Sequence, residues 1–234
     1  MRNTSVKGWL VVALALVPVL GWAQTHELQT IKLNEPNKKR GLPLMEALSV
    51  RASVRDWSAR ELSLQDLSDL LWAADGINRP DSKKRTASSA QNAQDVDIYV
   101  LLKDGVYLYD AAGQALVAVV AGDYRKEVVA PPAGGPGGPG GPPPAKPGTP
   151  PTPAPVLLIL VSDVSRFRSG TPELRKEFAA IDTGIVSQNI ALFCAATGLA
   201  TRPRATMDRD KIRTLLKLKD TQFPMLNHPV GYPK

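Results

Sequence analysis

Residues 171–199 read TPELRKEFAAIDTGIVSQNIALFCAATGL. Thr171 supplies a capping hydroxyl and Pro172 a preset φ, which together mark a helix start. Ile181, Ile185, Ile190, Leu192, Phe193 and Ala196 make the stretch to Thr197 apolar nearly all round, and Gly198 ends it. A helix of that kind lies at the centre of its domain.

The neighbouring segments supply what such a helix packs on. Upstream, Val156 to Val161 is an uninterrupted apolar run, the pattern of a strand buried on both faces. Further upstream, Asp97 to Leu102 and Val106 to Tyr109 flank Lys103-Asp104-Gly105, a hairpin signal. Gln114 to Val120 is apolar and reads as a third strand or a short helix. Ser63-Leu64-Gln65-Asp66 is a capping box, and Leu64, Leu67, Leu70 and Leu71 recur at helical spacing to about Ala74, with Gly76 as terminator. A short helix, Leu44 to Val50, follows Pro43, and Asn78 to Arg85 reads as a polar loop. Downstream, Leu199 to Arg202 is extended, Asp208 caps a last helix to about Leu216, and the tail from Gln222 is extended with three prolines. Helices, a hairpin, a buried strand, a long helix and a final strand make the class α+β.

Two segments stand outside this domain. Arg2 and Lys7, an apolar run from Trp9 to Leu20, and Gly21-Trp22-Ala23 form a secretory signal peptide over residues 1–23. The run is shorter than the roughly 20 residues of a membrane span, and Pro18 interrupts it. The expected destination is the periplasm, with membrane contact only during export. Residues 24–42 read as an extended arm whose Lys38-Lys39-Arg40 run is solvated. The second segment is 131–155, which holds twelve of the 21 prolines and seven of the 18 glycines. Its GGPGGPGGP core is too short for a collagen triple helix and reads as a solvated insertion within one domain, 43–234.

The net charge is +7, two charges of which belong to Arg2 and Lys7. Lys and Arg are scattered and aromatics sparse, unlike a nucleic-acid footprint. One cysteine excludes an internal disulfide, and two distant histidines with one cysteine do not make a zinc site. Cys194 reads as a buried inert thiol, and His26 and His228 as surface or structural. No nucleophile elbow, metalloprotease or P-loop pattern occurs. No side chain is therefore assigned as catalytic, and a cofactor must carry the chemistry.

The sharper signal is Arg51-Ala52-Ser53-Val54-Arg55. In extended chain the first, third and fifth residues share a face. Two guanidiniums and a hydroxyl then converge, which suits a phosphomonoester. Alone the triplet is weak, because it arises by chance in basic chains and equally fits a solvated helix exit. It is followed in order by Leu71-Trp72-Ala73-Ala74-Asp75-Gly76-Ile77-Asn78-Arg79, by Thr86 to Gln94 with Ser88-Ser89 and Asn92, by Asp182-Thr183-Gly184 and Gln188-Asn189, by Gly198-Leu199, and by Pro229-Val230-Gly231-Tyr232-Pro233-Lys234. In this order and spacing the chain resembles the nitroreductase family of FMN-dependent oxidoreductases, nearest its azoline-dehydrogenase branch.

That resemblance implies a mainly antiparallel sheet flanked by helices and an intertwined homodimer with two FMN at the interface. It implies that Arg51, Ser53 and Arg55 hold the FMN phosphate and the pyrimidine end of the flavin. Ser89 and Asn92 then contact the flavin of the partner subunit, although Ser88 stands where the family has proline. Gly198 and Leu199 lie against the flavin, with a backbone N–H at N5, and Lys234 completes the phosphate site. The implied activity is two-electron transfer to or from a small organic substrate, with NAD(P)H or another donor. The competing expectation is a secreted, non-catalytic binding or scaffold protein that uses its Pro/Gly loop to recognise a partner.

Overall fold

The computed structural model describes residues 27–129 and 153–234. The signal-peptide reading, His26 and nearly all of the Pro/Gly tract lie outside the described residues. Seven strands form one antiparallel sheet in the order β1-β6-β5-β4-β7-β9-β8. They are β1 (Ile31–Lys32), β4 (Val96–Leu101), β5 (Gly105–Asp110), β6 (Ala115–Ala121), β7 (Val156–Asp163), β8 (Ala200–Thr201) and β9 (Gln222–Gly231). A three-residue strand and a two-residue strand, β2 (Ile77–Arg79) and β3 (Lys84–Arg85), pair separately in what reads in sequence as a plain polar loop. The helices are α1 (Leu44–Val50), α2 (Leu64–Asp75), α3 (Pro172–Thr197) and α4 (Arg209–Leu215). The α+β class and the mainly antiparallel sheet are as expected.

Strand β7 is buried at all eight positions. Val156, Leu158 and Leu160 face α2 and α3, where they meet Leu70, Leu71, Val186 and Ile190. Leu157, Ile159 and Val161 face the other way, onto Ile212 and Leu216 of α4. Period-two alternation thus feeds two cores at once, which is why the sequence shows a continuous apolar run.

Helix α3 starts as predicted: the Thr171 side chain accepts the Leu174 N–H, and Pro172 occupies the first turn. It ends at Gly198, which adopts φ +73°. A left-handed residue there closes the helix by directing later N–H groups back to its last carbonyls. Helix α2 opens on the capping box, with the Ser63 hydroxyl 3.0 Å from the Asp66 N–H. Its terminator works differently from expectation. Gly76 has φ −75°, not a left-handed value, and glycine is needed because a Cβ would collide with the Trp72 indole.

The arm is extended but packed on the domain: Ile31–Lys32 pairs with β6, Leu33 is buried, and Asn34 and Asn37 donate backbone N–H groups to Ser68 and Asp69 of α2, while Lys38 and Lys39 are exposed. Within the basic run, Arg40 bridges Asp66 at 2.7 Å and Asp69 at 2.9 Å, and Lys38 lies over the Trp72 ring. The tail is also more ordered than its prolines suggest, because β9 is a ten-residue interior strand.

The described residues break between Val129 and Pro153. Arg125 holds the two flanks together, donating from Nη1 to the carbonyls of Ala154 and Pro155 at 3.2 and 2.9 Å while pairing with Asp123.

Candidate functional site

Segment 51–55 leaves α1 in extended conformation, with Arg51 at φ −59°, ψ 122°. The Val54 N–H donates to Thr201 O at 2.9 Å, and the Ser58 N–H to Tyr232 O at 2.8 Å. The segment therefore runs along β8 and the end of β9. Val54 is half-buried, whereas Arg51, Ser53 and Arg55 are exposed. Ala52 is exposed as well, and among the described residues no hydrogen bond or ion pair engages the three polar side chains.

Two further guanidiniums join this edge. Arg202 follows β8, and its Nε is buried without a hydrogen-bond partner. Burial and the charge of Arg55 both lower its pKa. Arg204 is lowered to about 10 by burial and by Arg202, although Asn227 Oδ1 accepts from its Nε and Nη2 at 2.9 and 2.7 Å. Among the described residues no carboxylate pairs with Arg51, Arg55, Arg202 or Arg204. Guanidiniums stay charged at any ordinary pH. A cationic edge that is half-buried at Arg202 and Arg204 and has no counter-charge among the described residues has the chemistry to hold an external anion. Arg202 and Arg204 were not singled out from sequence, and no local pattern marks them.

The other expected residues fall in two places. Gly198 and Leu199 lie beside the arginine edge, at the end of α3. Their N–H groups both donate to Cys194 O, Leu199 at 2.8 Å. The helix-closing turn takes up both donors, so a flavin nitrogen would compete with Cys194 O for either. Lys234 also reaches this edge, but its Nζ is 2.8 Å from Asp56 Oδ1, so a phosphate would compete with that pair.

Ser89 and Asn92 lie elsewhere. They flank a 3₁₀ turn, Ala90–Asn92, anchored on Asp182 of α3. Asp182 and Gly198 are sixteen residues apart on one helix, about 24 Å at 1.5 Å per residue. A single chain therefore carries two separate groups, one at each station along α3.

The interior adds a third polar feature. His228, on β9, is fully buried; its Nε2 is 2.8 Å from Ser187 Oγ and its Nδ1 is 3.3 Å from Thr201 Oγ1. Thr201 Oγ1 donates to Pro229 O, so it accepts from Nδ1–H and leaves Nε2 to accept from Ser187. Burial, then Arg204, lowers the imidazole pKa to about 3. This is the structural role expected for His228. Cys194 is likewise buried, and burial raises its thiol pKa.

The nitroreductase family profile matches residues 48–232. A protein of Methanocaldococcus jannaschii that carries the name nitroreductase is 26% identical over 213 residues, 88% of this chain and 96% of its own. A crystal structure of a protein from Ralstonia eutropha, also named a nitroreductase, is 31% identical with a TM-score of 0.74, over 88% of this chain and 90% of that one. A chain of the E. coli microcin synthetase McbBCD complex shares the fold at a TM-score of 0.63 and 16% identity, over 95% of this chain and 85% of its own. Sequence and fold agree across nearly all of the described chain, which belongs to the nitroreductase family, a family of flavin oxidoreductases.

Proposed function

We propose that this protein is an exported, FMN-dependent oxidoreductase that works as a homodimer on a small organic substrate. The observation that carries the FMN reading is the uncompensated guanidinium edge. Arg51, Ser53 and Arg55 line an exposed face, and Arg202 lies beside Arg55 with a buried, unpartnered Nε. A phosphomonoester supplies the missing counter-charge and accepts the fork geometry of the guanidiniums. FMN, when bound, supplies two-electron transfer at its N5, with NAD(P)H or another donor. The chain's own residues bind and orient: the guanidiniums fix the phosphate end, and Leu199, packed in the core, holds the adjoining backbone rigid.

The homodimer reading rests on surface chemistry. Helix α1 exposes Leu44, Met45, Leu48 and Val50, with Leu42 just before it. Contiguous exposed apolar surface of this kind marks an interface. The separation of Ser89 and Asn92 from the arginine edge also fits a site built from two chains.

The test is a titration of the purified full chain with FMN and with riboflavin, followed by flavin fluorescence and absorbance. FMN is expected to bind at least tenfold tighter than riboflavin. Equal binding of the two, or no binding of either, refutes the phosphate assignment.

A further inference from the structure

The turn that carries Ser89 and Asn92 is held by one buried carboxylate. Asp182, 2% exposed, accepts the Ala90 N–H with both oxygens, at 3.0 and 2.9 Å. The turn needs an anchor: Gln91, Asn92 and Gln94 all have positive φ, at 57°, 52° and 48°. Such conformations cost non-glycine residues on the order of 1 kcal/mol or more each and persist only where the surroundings impose them. Secondary ties run from Gln91 to Arg168 and Ser169, and from the Gln94 N–H to Ser89 Oγ.

Behind Asp182 stands Asp95, which is fully buried at the entry to β4. Ser162 donates its hydroxyl to Asp95 Oδ2. The other oxygen, Oδ1, is buried and no donor reaches it. The Asp95 carboxyl meets that of Asp182, and both line one small cavity with Ser88, Ser89 and Gln94. Two carboxylates offer each other only lone pairs. With one proton between them the contact is a hydrogen bond; with none it is two buried negative charges side by side.

Among the described residues, the cations that face the pair are committed to other carboxylates. The charged groups facing the pair are Asp75 of α2, Arg85 of β3, Asp97 of β4, Asp163 at the end of β7, and Arg166 in the turn after it. Arg85 is committed to Asp75 at 3.1 Å, and Arg166 to Asp97 at 2.6 Å. Burial, with a further contribution from Asp182, raises the Asp95 carboxyl above the ordinary carboxylate range.

We propose that Asp95 carries a proton toward the Asp182 carboxylate and that the contact acts as a pH-sensitive clamp that positions the Ser89–Gln94 turn. With the proton in place, Asp182 holds Ala90 and the strained turn keeps its shape. When the proton is lost to solvent at higher pH, the repelling carboxylates separate and the turn loosens. The consequence for cofactor retention rests on the FMN reading above: the turn carries Ser89 and Asn92, so FMN binding weakens as pH rises. Asp95 and Asp182 are positioning residues and touch no reacting atom.

The experiment is amide hydrogen exchange of the full chain without added flavin, at about pH 5.5 and about pH 8.5, corrected for intrinsic rates. Protection of the Ala90 and Gln94 amides is expected to fall by about tenfold or more across that interval, because protection tracks the opening equilibrium. In Asp95→Asn the amide donates to Asp182 without a titrating proton, so protection stays high at both pH values. Unchanged wild-type protection, or an equal slope in Asp95→Asn, overturns the clamp. Carbon-13 shifts of the wild-type Asp carboxyls decide the matter if Asp95→Asn does not fold. A carboxyl still protonated above about pH 6 that titrates together with the turn supports the clamp; full ionisation of all Asp carboxyls by about pH 5 overturns it. FMN titrations over the same interval separate the two readings. pH-dependent protection without FMN binding refutes the flavin reading and leaves the clamp. FMN binding with flat protection refutes the clamp and leaves the flavin reading.

Discussion

Ser187 on α3 and His228 on β9 meet in the interior, Oγ to Nε2 at 2.8 Å, with no exposed atom on the imidazole. The pair ties the central helix to the sheet and requires a neutral ring. The folded pKa is lowered to about 3, against an unfolded value near 6.5. Between those values only the unfolded chain takes up the proton, so this contribution is complete above about pH 6.5 and is lost as pH falls toward 3. The difference in unfolding free energy between wild type and His228→Gln should change by up to about 1.4 kcal/mol per pH unit in that window. Urea titrations of both proteins at about pH 7, 6 and 5 check it, and parallel curves contradict it.

The capping box at the head of α2 is linked to the C-terminal strand. Asp66 accepts from Ser63 Oγ at 2.7 Å and from the Tyr232 hydroxyl, and it bridges Arg40. Burial opposes ionisation, but these hydrogen bonds and Arg40 hold the carboxyl below its ordinary value. Ser63→Ala removes the acceptor for the Asp66 N–H and should cost about 1 kcal/mol of stability. A shift in the urea midpoint with unchanged slope is the expected signature.

Arg202 is charged and desolvated, with no internal partner at Nε. Inorganic phosphate should therefore raise the melting temperature of the wild-type protein and do so less for Arg202→Ala and Arg51→Ala. Both variants should bind FMN about tenfold or more weakly, since hydrogen bonds to charged groups contribute on that scale, and leave riboflavin binding unchanged. An undiminished phosphate response in Arg202→Ala removes that residue from the site.

Met45 is 76% exposed on α1, amid Leu44, Leu48 and Val50. Met45→Glu places a charge at the centre of the proposed interface, where an unpaired buried charge is costly. Sedimentation should show wild-type dimer and a variant shifted toward monomer at the same concentration. A monomeric wild type would refute the interface.

Local chemistry was legible where it acts locally. The capping boxes, the Asp104-Gly105 hairpin and the all-buried run of β7 each state their structure within a few residues. The extended course of the arginine triplet was legible for the same reason. The extended course of β9 from Gln222 was legible, but its interior place in the sheet was not, because Pro224 and Pro229 argue against one. The structure accommodates them locally. Pro224 falls at a register irregularity opposite Val161, and Pro229 lies beyond the last β8 pair, with its carbonyl taken by Thr201. The ion pairs of Arg40, the bareness of Arg202 and the meeting of Asp95 with Asp182 were also hidden, because each depends on residues far apart in sequence.

Arg125 ties the segment that ends at Val129 to the one that begins at Pro153, through the carbonyls of Ala154 and Pro155. The geometry of the exit and return points is thus set by the domain, independently of what connects them. Closing a flexible connection costs only about 0.6 kcal/mol more for each doubling of its length. Selection can accordingly lengthen, shorten or rewrite this stretch with little effect on the flavin fold, and an engineer can use the same junction to display a tag or a second protein.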